Sequence, residues 1–170
     1  MSDTRLDTSK RTWLIASGCA GAVGGIATAV PFVSTFQPSE KAKAAGAAVE
    51  VDISTIKPGE KLTVEWRGKP VYVVRRTPET IEALSGLDAQ LRDPQSAQSV
   101  QPSYVDKQNR AINPEILVLL GLCTHLGCAP KFRPEVGAAD MGGDEWLGGF
   151  FCPCHGSKFD LAGRVYKGVP

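Results

Sequence analysis

The hydrophobic and polar positions divide the chain into a long uncharged run, a short polar stretch and a longer segment with many short apolar runs. The uncharged run, residues 12–39, is rich in glycine and alanine. About 20 apolar residues suffice to cross a bilayer, so we predict a transmembrane anchor over residues 12–36. Pro31 is expected to kink this helix or to mark its end. The alternatives are a buried core helix and a cleaved secretory signal, because sites resembling Ala-x-Ala occur around residues 42–48.

Basic residues precede the anchor, and small polar residues follow it. The basic residues within residues 1–11, beginning with Arg5, favour a cytoplasmic amino terminus. Residues 9–14, SKRTWL, resemble a twin-arginine export signal with lysine in the first basic position, and that pathway exports folded proteins. Residues 37–48, QPSEKAKAAGAA, lack bulky apolar side chains and are interpreted as a flexible hinge.

From residue 49 onward the pattern predicts mainly β-structure. Residues 49–53 alternate apolar and polar positions, as a half-buried strand does. Residues 61–66 and 71–75 are rich in β-branched and aromatic side chains, and the four residues between them suggest a hairpin. Residues 116–120 form a continuous apolar run that fits a buried strand leading directly to Cys123.

The remaining segments predict one short helix and two long loops. Thr77 is suited to be the N-cap of a helix whose first residue is Pro78 and which ends near Gly86. Residues 86–113 are polar and predict a long surface connection, whereas the glycine-rich residues 132–149 predict an insertion that is mostly loop.

Composition adds a specific clue about chemistry. The 170 residues carry a formal net charge of +1, so we expect no nucleic-acid partner. Only two histidines are present, His125 and His155, and four of the five cysteines lie beside them. The fifth, Cys19, lies in the apolar run and is expected to behave as a small hydrophobic residue.

The cysteines and histidines form two short segments, CTHLGC (residues 123–128) and CPCHGS (residues 152–157). Each segment offers a thiolate and an imidazole, and Gly127 and Gly156 permit tight backbone conformations. The resulting set of two cysteines and two histidines suits one tetrahedral zinc or a [2Fe–2S] cluster with two cysteines on one iron and two histidines on the other. Each segment also contains a second cysteine, so a disulfide between the loops is possible, which zinc fingers rarely have. Spacing alone does not say which cysteine of each pair is the ligand.

The two segments match, without gaps, the cluster-binding motifs of Rieske iron–sulfur proteins. The version with an extra cysteine in each motif resembles the iron–sulfur subunit of cytochrome bc complexes. The resemblance covers nearly the whole chain, including the tail RVYKGVP (residues 164–170). It implies a mainly-β fold, a Rieske-type antiparallel β sandwich over residues 49–170 with a small cluster-binding subdomain at about residues 121–160, preceded by one transmembrane helix.

The resemblance also implies roles for individual residues. It assigns Cys123 and Cys152 to one iron of the [2Fe–2S] cluster, His125 and His155 to the other iron, and Cys128 and Cys154 to a disulfide. It implies that the exposed nitrogen of His155 hydrogen-bonds quinol, that Ser157 donates to a cluster sulfur, and that Leu126 covers the cluster. Phe159 departs from the family, in which high-potential members usually have a tyrosine that donates to a cysteine sulfur. Because phenylalanine has no donor, we predict a lower reduction potential than in tyrosine-bearing relatives.

In the resembling family this subunit works in quinol–cytochrome c reductase, taking an electron from quinol with proton release and passing it to a c-type cytochrome haem. The implied partners are cytochrome b and cytochrome c1 in a dimeric complex of the bacterial inner membrane, with the cluster domain on the periplasmic side. A soluble-type Rieske ferredoxin and an exported zinc-binding module are the alternatives. The family normally continues past Gly168-Val169-Pro170 with a proline-rich loop and closing strands, so a third wall of the cluster pocket is expected to be missing here.

Overall fold

The computed structural model describes residues 7–170 and divides into two units, one ending at Ala47 and one comprising Ala48–Pro170. The elements in chain order are α1 (Thr8–Ser34), α2 (Glu40–Ala45), β1 (Lys61–Trp66), β2 (Lys69–Arg75), α3 (Pro78–Ala83), β3 (Ile116–Leu120), β4 (Lys131–Arg133), β5 (Gly149–Phe151) and β6 (Lys158–Phe159). Short 3-10 helices occur at Ile53–Thr55, Leu84–Gln90, Ala139–Met141 and Gly143–Glu145.

The amino-terminal unit is dominated by α1, which is long and apolar enough to cross a membrane. Its 27 residues correspond to roughly 40 Å at the usual rise of an α-helix. The helix begins four residues before the predicted anchor because the Asp7 side chain caps it by accepting from the backbone N–H of Lys10. It continues for three residues after Pro31, so the proline does not mark its end. Arg5 lies outside the described residues.

A second, short helix interrupts the segment predicted to be a hinge. Helix α2 is capped by Ser39, whose side chain accepts from the backbone N–H of Ala42. Alanine and lysine are good helix formers, which explains why this polar stretch is not wholly extended. All residues of α2 are solvent-exposed, so no buried apolar side chain anchors the helix.

The first sheet of the second unit is antiparallel, with strand order β1-β2-β3. The predicted hairpin is present, but its turn is shorter because Lys69 and Pro70 belong to β2. Only Arg67 and Gly68 remain as turn residues, and both have positive φ, at 52° and 69°. Two residues with positive φ are typical of the type I′ turns that match the twist of a hairpin.

Strand β3 has the predicted bounds, but it is not buried on both faces. Leu117 is fully buried, whereas Val118 is 55% exposed and Leu120 is 47% exposed. Among the described residues, β3 pairs only with β2 and therefore forms an edge of the sheet. The prediction of a strand is confirmed, but the core covers only one face of this strand, and the other face is exposed.

The strand predicted at residues 49–53 is wrong. In the described part of the chain this segment pairs with no strand, and Val49 and Ile53 are largely exposed. The Asp52 carboxylate instead accepts from the backbone N–H of Ser54 at 2.9 Å and starts a 3-10 turn. A segment with alternating apolar and polar residues forms a strand only where a neighbouring strand is available to pair with it.

Helix α3 begins as predicted, with Thr77 as N-cap and Pro78 in the first turn. It ends at Ala83, three residues before Gly86, and the chain then continues as a 3-10 helix over Leu84–Gln90. The long connection that follows, predicted to lie on the surface over residues 86–113, is partly buried. Its residues Leu87 and Leu91 are buried in a small core together with Met141, Trp146 and Tyr166.

The second sheet is a small antiparallel one with strand order β4-β5-β6, and it carries the second motif. The insertion between β4 and β5 is mostly loop, as predicted, with two 3-10 turns. Gly149 is required at the start of β5, since a Cβ atom there would collide with the carbonyl oxygen of Phe159. Strands β5 and β6 can therefore approach closely only without a side chain at this position.

The main core joins the two sheets. Its members are Tyr72, Val74 and Leu117 from the first sheet, Phe150 and Phe159 from the second, and neighbouring residues including Cys123 and Cys152. Two small sheets that share one core confirm the mainly-β class and place both cysteine thiols in its interior.

Candidate metal centre

Both motifs are delivered by strands of different sheets. Gly121 and Leu122 connect the end of β3 to Cys123, and β5 ends one residue before Cys152. Because the two sheets share one core, the two loops lie side by side although their first cysteines, Cys123 and Cys152, are 29 residues apart in sequence.

The two loops have the same backbone hydrogen-bond pattern. In each, the first cysteine donates its N–H to the carbonyl five residues later and accepts at its own carbonyl from the intervening glycine. The four bonds are Cys123 N to Cys128 O (2.7 Å), Gly127 N to Cys123 O (2.9 Å), Cys152 N to Ser157 O (2.8 Å) and Gly156 N to Cys152 O (2.9 Å). Gly127 and Gly156 have φ of 80° and 85°, the left-handed region that favours glycine.

The thiols of Cys123 and Cys152 are buried and free, and they lie close enough for each to influence the ionisation of the other. Each sulfur also accepts hydrogen bonds from backbone N–H groups two and three residues further along its loop. Such a concave set of N–H groups stabilises negative charge on sulfur. Two adjacent sulfurs in this environment are suited to hold one tetrahedral metal ion as thiolates.

The two thiols differ in their acid strength. At Cys123, burial opposes ionisation, but the hydrogen bond with Ser157 and those with the backbone outweigh it and lower the pKa of the thiol. At Cys152, burial is the larger effect and raises the pKa of the thiol. The Oγ atom of Ser157 lies 3.4 Å from the Sγ atom of Cys123, and Ser157 is fully buried.

The imidazoles of His125 and His155 lie beside each other on the exposed side of the loops. Their ring centroids are 4.7 Å apart, and the rings meet edge to face. Both histidines are solvent-exposed, whereas both thiols are buried. Leu126, next to His125, is 71% exposed.

The second cysteines of the two motifs, Cys128 and Cys154, form a disulfide, as the resemblance implied. Their sulfurs and the Sγ atom of Cys152 all lie within 4.8 Å of one another. Because two of these three sulfurs are oxidised, the group does not offer three thiolate ligands. Cys19 is exposed on α1.

The arrangement fits a [2Fe–2S] cluster with different ligands on its two irons. Sulfur is paired with sulfur in the buried part of the site, and imidazole is paired with imidazole at the surface. A two-iron cluster with two cysteines on one iron and two histidines on the other needs this separation of ligand types.

Comparison with known proteins gives the family. The profile described as "Rieske [2Fe-2S] domain" matches residues 89–170, which include both motifs. The ubiquinol-cytochrome c reductase iron-sulfur subunit of Allochromatium vinosum is 55% identical over 161 residues, covering 95% of this chain and 77% of that protein. This chain belongs to the Rieske iron–sulfur protein family. Its cofactor is therefore a [2Fe–2S] cluster, and the zinc module is not favoured.

Other Rieske proteins support the same assignment. The ubiquinol-cytochrome c reductase iron-sulfur subunit of Rhodospirillum rubrum is 42% identical over 164 residues, covering 95% of this chain and 81% of that protein. A solved structure titled "Hyperthermophilic respiratory Complex III" matches with a TM-score of 0.50 and 28% identity, covering 92% of this chain and 85% of that one.

Tyr72 supports both Rieske loops and was not predicted from the sequence. Its hydroxyl donates to the carbonyl oxygen of Pro130 at 2.9 Å, two residues after the first motif. Its ring stacks on Phe150, two residues before the second motif, with centroids 5.8 Å apart. The ring also packs against Gly121, where a Cβ atom would collide with it. The only available signal was a tyrosine on the buried face of a strand, which needs a partner for its hydroxyl.

A buried ion pair lies directly behind the second motif and was also missed. Asp160 and Arg164 are both fully buried, with Arg164 Nε donating to Asp160 Oδ2 at 2.7 Å. Arg164 also donates to Asp88 and to the carbonyl oxygens of Leu84 and Pro94. The pair therefore ties the segment after the second motif to the long connection. The only feature of the sequence that indicated this ion pair is an aspartate followed four residues later by an arginine, shortly after the second motif.

Phe159 lies in the same core as the thiols. It is buried and packs in the cluster of side chains that contains Cys123 and Cys152. Its ring provides no donor to either sulfur.

Proposed function

We propose that this chain is the electron-transfer subunit of a quinol:cytochrome c oxidoreductase. The observation that carries the proposal is the 55% identity to the Allochromatium vinosum subunit, which extends over 95% of this chain. When bound, the [2Fe–2S] cluster supplies one-electron redox chemistry, and the protein supplies its ligands, its hydrogen bonds and its access to partners.

Cys123 and Cys152 would hold one iron, and His125 and His155 would hold the other. The buried sulfurs and exposed imidazoles support this assignment. Two neutral imidazoles in place of two thiolates make the site less negative, and such sites have higher reduction potentials than all-cysteine ones. The absence of a donor at Phe159 would keep the potential below that of tyrosine-bearing relatives.

His155 would meet the quinol. Its imidazole is solvent-exposed, so its outer nitrogen is accessible to a quinol hydroxyl and can accept a hydrogen bond and then a proton. The exposed Leu126 supports the same picture, because it adds an apolar surface beside the imidazoles for a hydrophobic substrate. The site therefore combines proton acceptance with electron transfer.

The amino-terminal helix would anchor the subunit. Its length and apolar composition are compatible with a membrane anchor, here assigned to residues 12–36. The basic residues before it favour a cytoplasmic location for residues 1–11 and a periplasmic one for the cluster domain, residues 49–170. Residues 37–48 would form the hinge through which the domain, with its subdomain at about residues 121–160, moves between partners. Those partners would be cytochrome b and cytochrome c1 in a dimeric inner-membrane complex.

Purification of the native complex from membranes tests this function. We expect the chain to co-purify with b-type and c-type haems, and to show the electron paramagnetic resonance signal of a reduced Rieske cluster. The complex should also reduce cytochrome c with quinol. Isolation of the chain as a soluble protein without haem subunits would refute the proposal and favour a ferredoxin-type carrier.

A further inference from the structure

The disulfide and the two thiols form one continuous patch of four sulfurs. The Sγ atoms of Cys128, Cys154 and Cys152 lie within 4.8 Å of one another, and the Cys152 thiol also neighbours that of Cys123. The three-sulfur group found among the described residues includes Cys152 but not Cys123. Cys152 is therefore the thiol placed to react with the disulfide.

We propose that Cys152 is an internal nucleophile for the Cys128–Cys154 disulfide, and that iron bound to Cys152 protects this disulfide from exchange. The proposal rests on the assignment of Cys152 as a cluster ligand given above. It adds a second chemical role to that residue, intramolecular thiol–disulfide exchange.

The exchange is balanced without any added reagent. The Cys152 thiolate attacks one of the two disulfide sulfurs, a new S–S bond forms to that sulfur, and the bond between Cys128 and Cys154 breaks. The other sulfur leaves with the electron pair and takes up the proton that Cys152 lost. One disulfide and the same number of thiols are present before and after, so nothing is oxidised or reduced overall.

The short distance between Cys152 and the disulfide supports an internal attack. A disulfide bond is about 2.05 Å long, so the Cys152 sulfur needs to move by less than about 3 Å, which a side-chain rotation can supply. Cys154 is exposed, so a thiol released there would enter solvent.

The consequence concerns the order of assembly. A chain in which Cys152 has entered a disulfide can no longer offer that sulfur to iron. Iron bound to Cys152 removes the nucleophile and leaves the native pairing in place. Cluster insertion should therefore precede exposure to an oxidising compartment, or the disulfide will exchange.

Two variants of the full chain in detergent test this, Cys123→Ser and Cys152→Ser, each made in a Cys19→Ala background. Each variant removes one proposed ligand, and each retains the disulfide cysteines and one free thiol. Both are incubated without oxygen or added thiol at about pH 8.5, near the ordinary pKa of a thiol. They are then quenched in acid, alkylated, and mapped by peptide mass spectrometry.

In Cys123→Ser we expect Cys152 to appear in a disulfide, with alkylation of Cys128 plus Cys154 at least fivefold above that in Cys152→Ser. The rate should not depend on protein concentration. In concentrated urea, where proximity is lost, the two variants should exchange to similar extents, which separates local geometry from general reactivity. A native disulfide that survives equally in both variants, or that exchanges equally in both without urea, would overturn the proposal.

The same variants report separately on the ligand assignment. Both should lack the electron paramagnetic resonance signal of the reduced cluster. If either retains this signal at the intensity of the unmodified chain, the assignment of that cysteine as a ligand is wrong, whatever the disulfide map shows.

Discussion

Replacing Ser157 by alanine should lower the reduction potential of the bound cluster. The serine is fully buried, and its Oγ atom lies 3.4 Å from the Sγ atom of Cys123, which is proposed to bind iron. Alanine removes the hydroxyl and leaves the rest of the side chain in place. A hydrogen bond to sulfur stabilises the reduced site more than the oxidised one, because reduction adds negative charge.

The magnitude follows from the strength of one hydrogen bond. Bonds to charged groups contribute about 1.5–3 kcal/mol, and we take the lower end because sulfur is a weak acceptor. For a one-electron couple, about 1.4 kcal/mol corresponds to about 59 mV. If the bond stabilised only the reduced state, its loss would lower the midpoint by roughly 60 mV. Because it also stabilises the oxidised state to some extent, the fall is smaller. We therefore expect the midpoint to fall by roughly 30–60 mV.

The assay is a potentiometric titration of the intact complex, followed by the electron paramagnetic resonance signal of the reduced cluster. Ser96→Ala is the matched control, since Ser96 is also buried and its hydroxyl is bonded to Lys107 and Arg110 at 2.8 Å. The control should lower the free energy of unfolding by about 1–2 kcal/mol and leave the potential unchanged. An unchanged or higher midpoint in Ser157→Ala at full cluster occupancy, or an equal fall in Ser96→Ala, would refute the reasoning.

Three further predictions follow from neighbouring contacts. Phe159→Tyr should raise the midpoint by tens of millivolts in the same titration, because the new hydroxyl can donate a hydrogen bond within the core shared with the thiols; an unchanged or lower midpoint would contradict this. Arg164→Leu should lower the free energy of unfolding by about 3–5 kcal/mol in chemical denaturation, because the buried Asp160 carboxylate loses its partner. The control Arg133→Leu removes more exposed ion pairs and should lower the free energy of unfolding much less; equal losses in the two variants would count against the buried pair. Replacing both disulfide cysteines by alanine should reduce the stability of the domain by about 2–4 kcal/mol, seen as earlier thermal loss of the cluster signal; an unchanged transition would show that the disulfide is dispensable.

The chemistry of the site was predictable from the sequence because its residues are concentrated in two short segments. Cys123 and His125, like Cys152 and His155, are separated by one or two residues, so the local chain alone brings each pair together. The same is true of the capped start of α3 at Thr77 and of the long apolar helix. Each of these features is set by residues that are close in sequence, through a local capping hydrogen bond in α3 and through the apolar composition of one segment in α1.

Contacts between distant segments were decided only by the tertiary structure. Whether residues 49–53 form a strand depends on a pairing partner, and alternation in the segment itself carries no information about that partner. The exposure of Val118 depends on what covers the second face of the sheet. Tyr72 and Arg164 act across 58 and up to 80 residues of sequence, so no local pattern reveals their partners.

Residue type and short spacing therefore sufficed to locate the two segments that offer cysteine and histidine ligands, because ligand chemistry resides in the side chains themselves, but they did not distinguish the two cysteines within each segment. The tertiary structure decided how they are arranged, with thiols inside and imidazoles outside, because burial depends on the packing of two sheets around one core. It also placed the Cys152 sulfur beside the disulfide, and the spacing of the cysteines alone does not predict this proximity.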